Sequence, residues 1–263
     1  MVGTLGIQEN LAARDMAARS AMTTPSWRAA LIGALGLGLA GPAVAGELET
    51  RATLYLWASG LTGTQALAGL PPTDVDLGFD QILDKVDMAA AGLVEVRGDR
   101  AGFLGELNYV KLSAKAAGPG GALTGDLTSK ATFALLAGTW KVDETPARRV
   151  DLIGGVKYFR FSNALTLAPG PVAASGHADW VDATVGVKAS FALSDTWSLK
   201  TWAMLGAGGS DLSWDVLAAF DYQINDTWSA SLGYRATGVD YASGSFSYDM
   251  RQYGPIIGLT RRF

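Results

Sequence analysis

The sequence predicts an all-β protein, an antiparallel up-and-down β-barrel that crosses a membrane. Three observations predict this fold class. Apolar and polar residues alternate with a period of two over most of the chain, no stretch shows a long helical period, and short polar turns alternate with longer loops rich in Gly, Pro and Ala. A transmembrane barrel strand turns one face to lipid and the other to a polar lumen, which produces this alternation.

The first 45 residues are predicted to precede the barrel. Arg28 is followed by an apolar run at 29–40, and Ala43-Val44-Ala45 is a small-x-small cleavage site typical of a signal peptide. The run is shorter than the ~20 residues that a transmembrane helix needs. We therefore interpret residues 1–45 as an N-terminal extension plus a cleaved signal peptide, and residues 46–263 as a single barrel domain.

Strand signals then follow one another to the C-terminus. The clearest strand spans 212–224, where every second residue from Leu212 to Ile224 is apolar, and residues 228–237 and 181–193 repeat this alternation. The other strands are predicted near 49–58, 88–97, 101–113, 127–142, 149–165, 197–207 and 253–263. Counting the strands between turns gives ten, an even number that brings both termini to one side of the membrane. Twelve strands result if 60–79 forms its own hairpin, and eight if the first two strands are misread.

The connections between strands fall into two classes. Short polar turns are predicted at 97–100, 143–147, 194–195 and 225–226. Longer loops are predicted near 59–87, 114–126 and 166–178. Short turns on one rim and longer loops on the other are typical of a transmembrane barrel.

The first long loop contains a helical signal. Phe79, Ile82, Leu83 and Val86 recur at i, i+3, i+4 and i+7, which is one face of a short amphipathic helix. One hypothesis is that this helix folds over the mouth of the barrel as a lid or partial plug. The alternative is that it packs on the rim and only stabilises the loop.

A soluble β-sandwich shows the same alternation, so the choice of a membrane rests on further features. The apolar faces carry almost no charge over about nine residues, enough to cross a bilayer as a tilted strand. Aromatic residues beside the short turns would form an interfacial girdle. These residues are Phe191, Trp197, Tyr222, Trp228 and Phe263.

Composition excludes several classes of function. The chain has no cysteine, which excludes thiol and thiolate-metal chemistry. Its net charge is −4 and it has no run of basic residues, which argues against nucleic-acid binding. Acidic residues cluster in the first long loop, at Asp74, Asp76, Asp80, Asp84 and Asp87. Their spacing is not that of an EF-hand, and we expect solvated loop acids. The sequence predicts no cofactor and no metal.

The polar strand faces supply the candidate functional residues, a charge network that would line the lumen. Its basic members are Arg51, Arg97, Lys130, Lys157, Lys188, Lys200 and Arg235. Its acidic members are Glu95, Glu106, Asp151, Asp182, Asp215 and Asp221. The basic and acidic residues are nearly equal in number, which indicates that they pair with one another, because an unpaired buried charge is costly. A barrel of eight to ten strands leaves little space beyond side chains or one small ligand. Two interpretations remain open: a filled, salt-bridged barrel, and a narrow passive pathway for a small solute.

The sequence gives little support for catalysis. His177, the one histidine of the chain, stands between Ser175 and Asp179 in a segment predicted to be a loop. A loop position orients a catalytic base poorly. We predict that the protein is not an enzyme, with an outer-rim lipid hydrolase or acyltransferase as the alternative.

Three segments carry a family resemblance: Leu54-Tyr55-Leu56-Trp57, Gly233-Tyr234-Arg235 with Val239-Asp240-Tyr241, and Gly254 to Phe263. With them the chain resembles the small outer-membrane β-barrel proteins of Gram-negative bacteria, the broad OmpA-like and OmpW-like group. Gly60-Leu61-Thr62-Gly63-Thr64 and Val75 to Phe79 look like an uncharacterised proteobacterial barrel family.

This resemblance implies a location in the outer membrane and contact with its lipids and lipopolysaccharide. It also implies recognition by the barrel-assembly machinery through the C-terminal strand that ends at Phe263. We expect a monomer with a structural role or limited passive transport of a small solute. Loop-mediated adhesion or binding is a further alternative.

Overall fold

The computed structural model describes residues 48–66, 72–117, 124–168, 172–244 and 246–263. The predicted leader, residues 1–45, lies outside the described residues. Within the described ranges, no helix has both the length and the hydropathy needed to span a membrane.

Strands make up almost all of the described chain. They are β1 Glu49–Trp57, β2 Gly60–Ala66, β3 Thr73–Leu77, β4 Val86–Arg97, β5 Ala101–Ala117, β6 Thr124–Thr145, β7 Arg148–Ala168, β8 Val172–Ala192, β9 Trp197–Gly208, β10 Leu212–Gln223, β11 Trp228–Ser243 and β12 Phe246–Arg262. One short helix, α1, spans Phe79–Leu83 within the predicted amphipathic segment.

Ten of these strands close an antiparallel barrel. The ring runs β1-β4-β5-β6-β7-β8-β9-β10-β11-β12, and β12 pairs back onto β1 from Arg51↔Arg262 to Trp57↔Ile256. The predicted ten-stranded barrel is confirmed. The hairpin considered at 60–79 does form, as β2 and β3, but it lies outside the ring: β2 pairs with the outer part of β12 and with β3, and within the described residues β3 pairs with no strand of the ring.

The predicted outer loops at 114–126 and 166–178 are wrong in their bounds. β5 and β6 pair as far as Ala117↔Thr124, and β7 and β8 as far as Leu167↔Val172. Ala, Gly, Thr and Ser dominate these segments, so their side chains give little apolar–polar contrast. The backbone nevertheless continues the ladder, because hydrogen bonding between strands does not depend on that contrast.

Side chains alternate between the two faces of the barrel wall. On β1, Tyr55 is buried toward the lumen, whereas Leu54 and Leu56 point outward and are 75% and 70% exposed. Val185 on β8 is 66% exposed on the same outer surface. An apolar surface of this extent around a closed ring is suited to lipid.

Aromatic side chains gather at the end of the barrel that holds the termini and short turns. The rings of Trp197 and Tyr222 lie 4.9 Å apart, centroid to centroid. Arg261, which interrupts the apolar face of β12, places its guanidinium 4.6 Å from the Phe263 ring centroid and 5.8 Å from that of Trp228. Cation–π contact and snorkelling let this charge lie at a membrane interface.

Replacing Val216 by Arg tests whether this outer surface meets the bilayer interior. Val216 points outward in the middle of β10 and is 42% exposed. We expect V216R to lower the free energy of unfolding by about 2–4 kcal/mol, because it places a cation near the bilayer midplane. Leu212 lies on the same face at the outer end of β10, so L212R is the matched control and should cost about 0–1 kcal/mol. Urea unfolding in lipid vesicles measures both, and equal losses would contradict this depth assignment.

Candidate functional site

Ion pairs cross the middle of the lumen. Arg235 of β11 is 2% exposed, and its guanidinium bridges carboxylates on two other strands. Its Nη1 and Nη2 donate to Glu106 Oε1 and Oε2 of β5 at 2.6 and 2.9 Å. Its Nε and Nη2 also donate to Asp215 Oδ1 and Oδ2 of β10 at 3.1 and 2.7 Å. Because β5 and β11 are not neighbours in the ring, these bonds tie one wall of the barrel to another.

A second cation balances the second carboxylate. Lys157 Nζ lies 2.8 Å from Asp215 Oδ2, so two cations face two carboxylates. Together Glu106, Lys157, Asp215 and Arg235 form what we call the central ion cluster. Removing one member would leave a buried charge without its partner, which costs far more than losing an exposed pair.

Aromatic and polar groups complete the central ion cluster. Tyr55 OH donates to Glu106 and also contacts Asn108 Oδ1 at 2.7 Å, while Trp202 Nε1 donates to Asp215 Oδ1 at 2.9 Å. The Arg235 guanidinium lies 5.3 Å from the Trp57 ring centroid and 5.0 Å from that of Trp202. Glu106, Asp215 and Arg235 therefore each have at least two polar partners, as a buried polar network requires.

The outer half of the lumen is filled by rings, which we call the aromatic layer. Its members are Phe133, Phe159, Phe161, Trp180, Tyr241 and Tyr248. Trp180 stacks on Tyr241 with centroids 3.9 Å apart. The predicted lumen residues do not include this layer. A usable signal was present, since Phe159 and Phe161 share the strand parity of Lys157, which was assigned to the lumen.

The inner half holds a chamber of about 110 Å³, which we call the inner chamber. Charged residues on its lining are Arg51, Glu95, Arg97, Asp151, Lys188 and Lys200. Most of them form short-range pairs: Arg97 Nε lies 2.7 Å from Glu95 Oε1, and Lys200 Nζ lies 2.8 Å from Asp221 Oδ1. Lys188 also pairs with Glu95.

The predicted lumen residues thus divide into separate groups. Asp182 joins none of the ion pairs above. It accepts hydrogen bonds from the Ser210 backbone N at 2.8 Å, Ser210 Oγ at 2.6 Å and Ser213 Oγ at 2.7 Å, and so anchors the turn between β9 and β10.

The assignment of Lys130 to the lumen is wrong. Leu135 and Ala137, at odd positions of β6, are buried inside the barrel, so Lys130 at an even position points outward and is exposed. It lies opposite Lys111 in the β5–β6 register. Before Phe133 the sequence shows little alternation of apolar and polar residues. The sequence therefore did not indicate which residues at this end of β6 face the lumen.

The assignment of His177 to a loop is also wrong. His177 lies on β8 opposite Ser162, with an exposed side chain. Ser175 and Asp179 share its face of the strand, as alternate residues do.

The barrel wall opens between β1 and β4. Their pairing ends at Leu54↔Gly92, although β1 continues to Trp57 and β4 begins at Val86. From that point toward the outer rim, β1 and then β2 remain paired with β12 but not with β4. The pairs Trp57↔Ile256 and Gly60↔Tyr253 belong to one continuous register. The adjoining stretch of β4 is Ala89-Ala90-Ala91, whose small side chains leave the space unfilled.

A cavity of about 530 Å³, the wall cavity, occupies this gap. All four predicted lid residues, Phe79, Ile82, Leu83 and Val86, line it. The structure therefore places the α1 segment beside the gap in the wall. Its action as a lid stays a prediction.

A closed antiparallel ring with an apolar outer surface and a charged interior defines the class of this protein: an integral β-barrel of the Gram-negative outer membrane. No protein-family model matches the chain, and no curated protein matches it.

The chain is similar to solved structures of outer-membrane barrels. The outer-membrane protease OmpT from Escherichia coli is 9% identical, with a TM-score of 0.53 over 85% of this chain and 99% of that chain. The translocator domain of the autotransporter NalP from Neisseria meningitidis is 15% identical, with a TM-score of 0.49 over 97% and 98% of the two chains. At 9% identity, the likeness to OmpT concerns the fold alone.

Replacing Arg235 by Ala tests the central ion cluster. R235A leaves Glu106 without its cation in a buried site, and we expect the free energy of unfolding to fall by about 3–5 kcal/mol. Arg251 is an exposed arginine on β12, and R251A should change it by no more than about 0.5 kcal/mol. Urea unfolding in vesicles gives both values. A loss at Arg235 as small as that at Arg251 would show that the buried ion pairs of the cluster do not stabilise the barrel.

Proposed function

We propose that this protein is a sealed, non-enzymatic barrel with a structural and lipid-binding role in the outer membrane. The observation that carries the proposal is the filled lumen. The central ion cluster spans the barrel, the aromatic layer lies outside it, and among the described residues a space of about 20 Å³ lies between their side chains. A cavity of about 10–15 Å³ already holds one water molecule, so this space has room for one or two waters and not for a continuous aqueous path.

Passive transport of a polar solute through the lumen is the weaker interpretation. A solute entering the inner chamber would meet the central ion cluster, in which Arg235 and Asp215 are each at most 2% exposed. Displacing these groups would separate buried opposite charges, which is costly.

Single-channel recording tests the sealed lumen directly. The protein, purified from outer membranes and shown to be folded by its heat-shifted gel mobility, is expected to give no discrete openings in a planar bilayer. The double variant R235A/F159A removes part of the central ion cluster and part of the aromatic layer, and should conduct if it folds. Reproducible openings of the unmodified protein would overturn the proposal.

Lipopolysaccharide is the proposed lipid partner at the outer rim. Lys130 and Lys111 face outward side by side, and Arg160 lies opposite Thr132 on the next strand, so basic groups line the outer face of β5 to β7. Lys111 also pairs with Asp87 at 2.8 Å, which leaves Lys130 as the stronger candidate for a phosphate contact. A basic side chain near an anionic lipid surface contributes about 1 kcal/mol.

Replacing Lys130 by Ala is therefore expected to weaken lipopolysaccharide binding about fivefold, the equivalent of about 1 kcal/mol. Arg100 lies in an exposed turn at the opposite end of the barrel, so R100A is the control and should leave binding unchanged. Lipopolysaccharide retained per protein across a dilution series measures the effect. Equal retention by both variants would remove Lys130 from the proposed contact.

Assembly and oligomeric state complete the proposal. The C-terminal strand closes the ring against β1, and the backbone N of Phe263 donates to Thr50 O at 2.9 Å. We infer that the barrel-assembly machinery recognises this strand before closure and that the folded protein is a monomer.

A further inference from the structure

We propose that the wall cavity is a binding site for a single-chain amphiphile of the fatty-acid class, reached sideways through the gap between β1 and β4. The proposal goes beyond the sealed lumen, because the cavity lies at the barrel wall and bypasses the central ion cluster. It rests on an interrupted strand pairing, an apolar lining and two amide side chains on that lining.

The interrupted pairing is local to one side of β4. β4 pairs with β5 from Val86↔Leu112 to Arg97↔Gly102, but with β1 only as far as Gly92↔Leu54. Residues Val86 to Ala91 therefore have a strand neighbour on one side only. Backbone at membrane depth requires protein, water or another cover in place of a missing strand, because lipid cannot satisfy its polar groups.

The wall cavity reaches from the lipid-facing surface to the interior. Leu56, Leu232 and Ile257 line it and belong to the outward face, where they are 70%, 63% and 56% exposed. Phe133 and Asn108 line it from the lumen side. A molecule dissolved in the bilayer can therefore enter without crossing water.

The size of the wall cavity fits a small apolar ligand. Its volume of about 530 Å³ is several times that of the inner chamber, about 110 Å³. Small-molecule sites typically measure about 300–1,000 Å³ and combine an apolar lining with a few polar groups. Helix α1 supplies Phe79, Ile82 and Leu83 to the lining and covers part of the cavity.

Polar groups on the lining argue for an amphiphile with one hydrogen-bond acceptor. Asn108 and Gln252 line the cavity and offer amide groups among its apolar residues. The carboxyl group of a fatty acid can accept hydrogen bonds from such amides, whereas the tail of a phospholipid would bring no acceptor there.

Native mass spectrometry with oleic acid tests the proposal on the purified protein. We expect one oleate per chain for the unmodified protein. A89W fills the cavity from β4 and should abolish this binding, whereas A203W adds the same ring to the lipid-facing surface of β9 and should retain it. The heat-shifted gel mobility of each variant shows that it is folded.

A second variant keeps the test independent of A89W folding. Gln252→Leu removes only the amide and should weaken oleate binding about threefold to tenfold, the effect of one hydrogen bond. Equal oleate binding by A89W and A203W would overturn the site, because it would place the ligand on the general lipid surface. A tightly held phospholipid with no oleate uptake would overturn the assignment to a single-chain amphiphile, and no binding at all would overturn both.

Discussion

Backbone hydrogen bonding in a medium without water is the constraint on which this structure depends. Inside a bilayer each peptide group must find a partner within the protein, so a sheet has to close on itself. Here the closure is the pairing of β1 with β12, the first and last strands of the ring. The apolar outer surface and the polar inner surface both follow from that closure, because strand side chains alternate between the two faces.

Closure creates a second problem, an interior that is narrow and partly polar. The protein solves it with two different fillings. Charges are concentrated in the central ion cluster and the inner chamber, whereas rings fill the outer half of the lumen. The guanidinium of Arg235 suits the middle position because its planar fork bonds two carboxylates at once.

The gap between β1 and β4 is where the constraint is relaxed. β1 and β2 keep their register with β12, while β4 follows β5, so the two sides separate beyond Leu54↔Gly92. Three consecutive alanines on β4 leave the resulting space open, and α1 lies against it. A local departure from closure thus produces a cavity of about 530 Å³ at the wall, while the central ion cluster and the aromatic layer fill the middle and outer lumen.

Alternation in the sequence was enough to predict the class of fold, a count of ten barrel strands with eight and twelve as alternatives, and the lumen-facing parity wherever apolar and polar residues alternate strongly, as around Asp215. It failed where contrast is weak, at Lys130 and at the ends of β5 to β8, because small residues fit either face. Only the tertiary structure decided which charges meet across the lumen, that Asp182 bonds serines and that a gap opens beside α1. These features depend on contacts between distant strands, and local alternation carries no information about which distant side chains come together.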